Sequence, residues 1–299
     1  MLRSTGEFVV KVGGVEICVE ALGDRADAPV LLIQGACASM LRWEEGFCER
    51  LVAGGRYVIR YDNRDVGRST AYPPGNPPYD LEDLAEDAVG VLEALGIASA
   101  HVAGASSGGM IGQLVAIRYP KRVRTLTLLI STPTVPDAAK AVESAAATPT
   151  VSDLPAPSAA LIEKVKALAS VDWRDPHAAV EAFVAEAHAM AGTGFPVDDS
   201  EVRAWAPREY ARQKNILSFR YNTPIAETKT AAWRHRLAEI QAPTLVVHGT
   251  DDPVLPYAHG VALSREIPQA KLLTIEGMGH ELPRGAWPRI VGAILEHTA

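Results

Sequence analysis

The feature that most constrains how this chain can fold is a repeated alternation of short apolar runs with segments of helical spacing. Four such runs lie in the first 132 residues: PVLLIQG, RYVIRYD, SAHVAG and RVRTLTLLI. Continuous apolar runs of this length are typical of strands buried on both faces. Strands that alternate with helices usually pair in parallel, and the helices then cover both faces of the sheet.

The remaining predicted elements extend this pattern to both ends of the chain. A hairpin opens the sequence, with FVVKV and VEICVEAL on either side of Gly13-Gly14. Late in the chain come two more strands, APTLVVHG and AKLLTIEG, followed by helices at about Tyr257 to Ile267 and from about Arg284. Earlier helices are predicted from about Trp43 to Leu51, after the N-cap Asp80, and directly after SAHVAG. We predict an α/β fold with a mostly parallel sheet of about eight strands and helices on both faces.

The middle of the chain has a different character. The stretch from Pro133 to about Pro157 is rich in Ala, Pro, Ser and Thr and is predicted to be loop or loose helix. Helical spacing follows, with a start signal at Asp175-Pro176 and more helix from about Asp199 to Phe219. No strand pattern interrupts it. We therefore predict an α/β core of residues 1–133 and 236–299, with a helical insertion at 134–235.

Composition and charge exclude several classes of partner. The net charge of −7, from 29 basic and 36 acidic side chains, gives no reason to expect binding to nucleic acid or to an anionic membrane. No apolar run approaches the roughly 18 residues that span a bilayer, and the N-terminus lacks a signal-peptide core. Cys18, Cys37 and Cys48 fit no disulfide or metal-binding spacing. We expect a soluble, cytoplasmic protein.

The sharpest chemical signal is Gly104-Ala105-Ser106-Ser107-Gly108, which matches G-x-S-x-G. A predicted buried strand precedes it and a helix follows at once, which is the setting of a nucleophile elbow. In such a turn the serine hydroxyl is held above the sheet, at a helix N-terminus whose dipole favours developing negative charge. We predict Ser106 as a nucleophile.

A serine hydroxyl is a weak nucleophile and needs a base. Where a nucleophile elbow is present, the acid and then the histidine follow the serine in the chain. His259 falls inside a predicted helix and His297 at the chain end, whereas His280 lies in the loop after a buried strand. Catalytic groups of open α/β sheets collect in such loops, so we predict His280 as the base.

The acid that orients this base is expected in the loop after TLVVHG. That loop carries Asp251 and Asp252, and either could serve. The loop after the preceding strand carries no carboxylate. The oxyanion of an acyl-transfer reaction needs two backbone N–H donors, and we predict those of Ala36 and Ser107.

Taken together, these segments resemble the α/β-hydrolase superfamily over nearly the whole chain. Within it, the sequence is most similar to the actinobacterial cytosolic esterases typified by aclacinomycin methylesterase. The resemblance rests on Arg60–Thr70, the elbow around Ser106, Asp251-Asp252-Pro253 and Gly277–His280. It implies that the acid is Asp252, immediately before the proline. It also implies that the helical insertion is a cap roofing the pocket and setting substrate choice.

Two departures from this family pattern concern the proposed site. Gln34-Gly35 stands where many relatives have His-Gly, and Ser107 stands where many have Met. Arg64 is expected to tie loops together, and Cys37 and His248 are expected to be structural. Several cap aromatics are weak candidates to line the pocket, although an aromatic residue of this kind more often belongs to the cap core: Trp173, Phe183, Phe195, Trp205, Phe219 and Tyr221.

These residues and the resemblance predict a carboxylester hydrolase that works through an acyl-enzyme without a metal or organic cofactor. The substrate is expected to be a neutral, largely hydrophobic ester, such as a methyl ester or lactone of a secondary metabolite. Aminopeptidase, thioesterase, perhydrolase and carbon–carbon hydrolase chemistry stay open with the same residues. A ligand-binding protein with little turnover and a non-hydrolytic biosynthetic catalyst also stay open. Ser106 argues against epoxide opening and halide displacement, which relatives perform with an aspartate at the elbow.

Overall fold

The computed structural model describes residues 4–135 and 153–299, so most of the predicted Pro133–Pro157 loop lies outside the described residues. In the described parts, eight strands form one sheet, which agrees with the number predicted. They are β1 (Phe8–Val12), β2 (Val15–Leu22), β3 (Ala28–Ile33), β4 (Arg56–Tyr61), β5 (Ala100–Ala105), β6 (Val123–Leu129), β7 (Thr244–Gly249) and β8 (Lys271–Ile275).

The strand order across the sheet is β1-β2-β4-β3-β5-β6-β7-β8. β2 pairs antiparallel with β1 and with β4, and all other neighbouring strands are parallel. The mostly parallel sheet predicted from the sequence is therefore confirmed. Because β3 to β8 run in one direction, the loops that follow them emerge at the same edge of the sheet.

Helices cover both faces of this sheet. α1 and α9 share a hydrophobic core with one face, and α2, α3 and α8 share a core with the other. Within the described ranges, no helix combines the length and apolar character needed to cross a membrane. The helices are α1 (Glu45–Ala53), α2 (Leu81–Ala94), α3 (Ser107–Arg118), α4 (Ala159–Leu168), α5 (Pro176–Met190), α6 (Asp199–Ala211), α7 (Ile216–Lys229), α8 (Ala258–Glu266) and α9 (Trp287–His297).

Strand β3 shows why its sequence is continuously apolar. Leu31 and Ile33 contribute to the core beside α2 and α3, whereas Val30 and Leu32 contribute to the core beside α1 and α9. Alternate side chains therefore enter opposite cores, and both faces of the strand are dry.

Polar capping residues fix where several helices begin. The Asp80 side chain accepts hydrogen bonds from the backbone N–H groups of Glu82 and Asp83, and Asp83 completes a capping box. Asp175 caps α5 in a similar way, with Pro176 in the first turn. Both start signals that the sequence predicts are confirmed.

Helices α4–α7 lie between β6 and β7 and are called the inserted helices below. Residues 153–240 contain no strand, as expected. The stretch from about Asp199 to Phe219 is largely helical, as predicted, but it is divided between two helices, α6 and α7. The break arises at Asn215, whose side chain accepts hydrogen bonds from the N–H groups of Leu217 and Ser218 and so starts a new helix.

Buried polar contacts fasten α6 to loops at the edge of the sheet. The Glu209 carboxylate accepts hydrogen bonds from Ser39 N at 2.7 Å and from Ser39 Oγ at 2.6 Å. Nη2 of Arg212 pairs with Asp62, which directly follows β4. Nη1 of the same guanidinium lies 2.9 Å from Glu7 Oε1. These contacts set the position of α6 relative to the sheet.

Arg64 forms a buried ion pair with Asp87 on α2. Its Nε lies 2.6 Å from Oδ2 and its Nη2 lies 2.8 Å from Oδ1, so both carboxylate oxygens are engaged. This pair ties the segment after β4 to α2, which confirms the structural role predicted for Arg64.

Replacing Arg64 by alanine should lower the free energy of unfolding by about 3–5 kcal/mol, because Asp87 would keep its charge in a buried place without its partner. Chemical denaturation monitored by circular dichroism measures the change. The matched control is Arg236→Ala, which breaks an exposed pair with Glu239 and should have a much smaller effect. Equal effects of the two substitutions would contradict this account of the Arg64 pair.

Candidate active site

Ser106 occupies a strained turn between β5 and α3. Its backbone has φ 53° and ψ −121°, in the left-handed region that side chains other than glycine rarely adopt. A Cβ on Gly104 would lie 2.1 Å from the carbonyl oxygen of Gly108, and a Cβ on Gly108 would lie 2.2 Å from the carbonyl oxygen of Ile33. Both glycines of the motif are therefore required by close packing of backbone on backbone.

The structure brings Ser106, His280 and Asp252 together in one hydrogen-bonded chain. Ser106 Oγ donates to His280 Nε2 at 2.9 Å, and His280 Nδ1 donates to Asp252 Oδ2 at 2.8 Å. His280 lies in the loop after β8 and Asp252 in the loop after β7. The three residues meet because these loops and the end of β5 share one edge of the sheet.

The two candidate aspartates have different surroundings. Asp252 is buried, and its Oδ1 accepts from the N–H groups of Val254 and Leu255 at 2.9 and 2.8 Å. Asp251 is more exposed, and its carboxylate bonds instead to Thr193, after the end of α5. Only Asp252 of the two contacts His280.

Electrostatic coupling between His280 and Asp252 is strong. Burial alone would raise the pKa of Asp252, but the charge of His280 and hydrogen bonds from His248 and His280 hold that pKa well below its ordinary value. Burial alone would lower the pKa of His280, but Asp252 raises that pKa above its ordinary value. Each group therefore stabilises the charged form of the other, an imidazolium cation next to a carboxylate anion.

His248 is a second histidine against the same carboxylate. Its Nε2 donates to the carbonyl oxygen of Leu255 at 2.7 Å and lies 3.4 Å from Asp252 Oδ2. The hydrogen bond to Leu255 agrees with the structural role expected for His248. Sequence reasoning missed its contact with Asp252, although its position four residues earlier at the end of β7 was a usable signal.

The backbone N–H groups of Ala36 and Ser107 have no hydrogen-bond partner among the residues that the structure describes. The neighbouring N–H of Gly35 is taken by the Gln34 side chain at 2.8 Å. Gly35 itself packs against the serine, since a Cβ there would lie 3.0 Å from Ser106 Cβ. Two backbone donors near the Ser106 hydroxyl are thus left available.

A cavity of about 720 Å³ reaches Ser106 and His280 between the sheet edge and the inserted helices. Phe183, Phe195 and Trp205 border it, together with several aliphatic side chains. Trp173 and Phe219 do not border it. Their rings pack 5.6 and 6.5 Å from that of Phe183, in the hydrophobic core of the inserted helices. The prediction that Trp173 and Phe219 contact substrate is therefore corrected to a packing role.

Most charges at the cavity wall are paired. The pairs are Arg42 with Glu281, Arg220 with Glu186, and Arg284 with both Glu44 and Glu201. In addition to its ion pair, Arg42 stacks on Trp205, with its guanidinium carbon 3.6 Å from the ring centroid. Glu227, on α7, is a further carboxyl at the wall. Sequence reasoning missed it, because Glu227 belongs to no motif.

In residues 4–135 and 153–299, no group of three or more His, Cys, Asp or Glu side chains has the arrangement of a metal site. Cofactor-free chemistry stays a prediction.

Residues 28–283 match the family model described as alpha/beta hydrolase fold, so the chain belongs to this family. It is 36% identical over 289 residues to rhodomycin D methylesterase DauP of Streptomyces sp. strain C5, with 95% of each chain covered. Its identity to rhodomycin D methylesterase DnrP of Streptomyces peucetius is also 36%, with the same coverage. Among solved structures, an esterase of Rhodococcus sp. ECU1013 aligns with a TM-score of 0.73 at 24% identity, covering 99% of this chain and 98% of that one.

These comparisons confirm the family resemblance proposed from the sequence. The identity to the two Streptomyces proteins extends over the core and the inserted helices alike. The solved structure, at its lower identity, supports the fold.

Asp252→Asn should lower the pKa of His280, because the variant loses the carboxylate charge that raises this pKa and leaves burial to disfavour the imidazolium. NMR titration of the His280 ring measures this pKa without any assay of activity. Asp251→Asn is the matched control, and it should leave the pKa of His280 unchanged. A larger shift in the Asp251 variant would show that the wrong aspartate has been assigned to the histidine.

Proposed function

We propose that this protein is a serine carboxylester hydrolase that forms an acyl-enzyme on Ser106. The observation that carries the proposal is the hydrogen-bonded chain from Asp252 through His280 to Ser106, which opens on a largely apolar cavity. The similarity to two proteins named as methylesterases supports hydrolysis of a carboxylic ester.

In this mechanism, His280 Nε2 accepts the Ser106 proton while Oγ attacks the ester carbonyl carbon. Asp252 keeps the proton of the neutral imidazole on Nδ1 and stabilises the imidazolium that forms. The N–H groups of Ala36 and Ser107 bind the oxyanion. His280 then protonates the departing alcohol, and water hydrolyses the acyl-enzyme by the same proton relay. No step requires a metal or an organic cofactor.

The inserted helices, within the segment 134–235, act in this proposal as a cap that covers the cavity and selects the substrate. The aromatic wall of Phe183, Phe195 and Trp205 favours a hydrophobic small molecule. A methyl ester fits both this wall and the names of the relatives. The three cysteines are free thiols, which supports the expected location in the reducing cytoplasm.

Ser106→Ala should reduce hydrolysis of 4-nitrophenyl esters by at least about 10³-fold, since the nucleophile is lost. Intact-mass spectrometry after treatment with a fluorophosphonate should show one adduct on the native chain and none on the variant. Ser170→Ala, at an exposed serine of the insertion, is the control and should keep both the adduct and the activity. Failure of the well-folded native chain to react would favour a ligand-binding protein instead.

The activity should fall as pH decreases, because only neutral His280 can accept the proton. We expect the acid limb of kcat/KM to have a midpoint above the ordinary histidine value of about 6.5, as Asp252 raises the pKa of His280. Asp252→Asn should lower kcat by about 10⁴-fold and move this limb to lower pH. Stopped-flow rates from pH 5 to 9 measure both effects. If the acid limb of the variant did not shift, the observed titration would not be that of His280.

A further inference from the structure

The carboxyl of Glu227 stands at the cavity wall and has no part in the mechanism above. In the part of the chain that the structure describes, Glu227 has no ion pair. Its side-chain contact is with Ser107, whose hydroxyl is buried and has no partner at ordinary hydrogen-bond geometry. The contact is therefore loose, and two polar groups with unused hydrogen-bonding capacity meet beside the nucleophile.

The other carboxylates at the wall differ from Glu227 in being satisfied. Four of them pair with arginines, as described above. The remaining two accept hydrogen bonds within the protein: Glu209 from Ser39 and Gln213, and Asp198 from Ser200. Buried polar groups without partners are unusual, and the one found here, the Ser107 hydroxyl, lies against a partly exposed carboxylate that a ligand in the cavity can reach.

The described wall of the cavity is acidic overall. The cavity wall carries seven acidic side chains and three arginines, and each of the arginines is already paired. Burial raises the pKa of Glu227 to about 7, and the Ser107 hydroxyl and the charge of His280 offset only part of this rise. An ionised carboxylate in such a place is costly without a cation. A positively charged group that entered the cavity would relieve that cost, whereas a neutral hydroxyl would leave the charge uncompensated.

We propose that Glu227, in contact with the buried Ser107 hydroxyl, is a specificity-determining residue that binds a protonated amine of the substrate, which departs from the neutral ester expected from the sequence. The Glu227 carboxylate, which borders the cavity, accepts from the ammonium N–H groups, and the buried Ser107 hydroxyl contacts this carboxylate from within the protein. Because Ser107 adjoins Ser106 in sequence, the amine lies on the part of the substrate near the ester. The proposal rests on the proposed function in that the subsite opens into the same cavity.

Among the residues that the structure describes, His280 and Cys37 are titratable groups that face Glu227 from other elements. His280 approaches from the loop after β8, and Cys37 from the loop after β3. Burial raises the pKa of the Cys37 thiol to about 11, so this group stays neutral near pH 7. Protonation of His280 at lower pH would repel an ammonium ion, and protonation of Glu227 would remove its attraction. Both changes weaken amine binding as pH falls.

Isothermal titration calorimetry with n-hexylammonium chloride and 1-hexanol tests the subsite, because these probes share a chain and differ in charge. At pH 8 we expect the native protein to bind hexylammonium at least about tenfold more tightly than hexanol. Glu227→Gln, which keeps the shape and removes the charge, should abolish this preference. Glu201→Gln removes a wall carboxylate that Arg284 already neutralises, and it should keep the preference.

The preference should also shrink between pH 8 and pH 6 in the native protein, whereas Glu227→Gln should show no preference at either pH. Equal affinity of the native protein for the two probes, or an undiminished preference in Glu227→Gln, would overturn the proposal. The binding measurement needs no turnover. A preparation that shows the amine preference without hydrolysing esters would refute the proposed function alone, and an active esterase without the preference would refute the subsite alone.

Discussion

The left-handed backbone at Ser106 is the constraint on which the rest of the site depends. It allows β5 to turn directly into α3, with Gly104 and Gly108 in contacts too close for any side chain. The Ser106 hydroxyl is then held at the edge of the sheet where the loops after β7 and β8 also emerge. Asp252 and His280 can reach the serine from short loops because the parallel strands deliver all three to one place.

A second set of interactions determines the shape of the cavity. Glu209 and Arg212 anchor α6 through buried contacts with Ser39 and Asp62. Because α6 also carries Trp205, these contacts place an aromatic ring at the wall, where Arg42 stacks on it. The same side chains that position the inserted helices therefore help to decide which molecules fit. Aromatic rings make one part of the cavity wall apolar, and ion pairs make other parts charged.

Much of the fold and the outline of the site could be predicted from local patterns. The eight strands, the caps Asp80 and Asp175, and the placement of Ser106 and the loops of Asp252 and His280 at one edge of the sheet follow from motifs and periodicity. The break at Asn215 was missed, because the spacing of apolar residues on both sides suits a helix. Trp173 could not be distinguished from Trp205, since both are aromatic residues of the inserted segment and only packing separates core from cavity wall.

By itself, then, the sequence determined the order of strands and helices and the elbow at Ser106, because backbone sterics and hydrophobic periodicity act over a few neighbouring residues. Which aspartate contacts His280 was indicated by family resemblance, and the hydrogen bonds of the folded chain show the contact. Only the tertiary structure decided that Glu227 lies beside Ser107 with no counter-ion in residues 4–135 and 153–299. Its isolation depends on distances between residues 120 positions apart, and no local pattern of residues encodes such a distance.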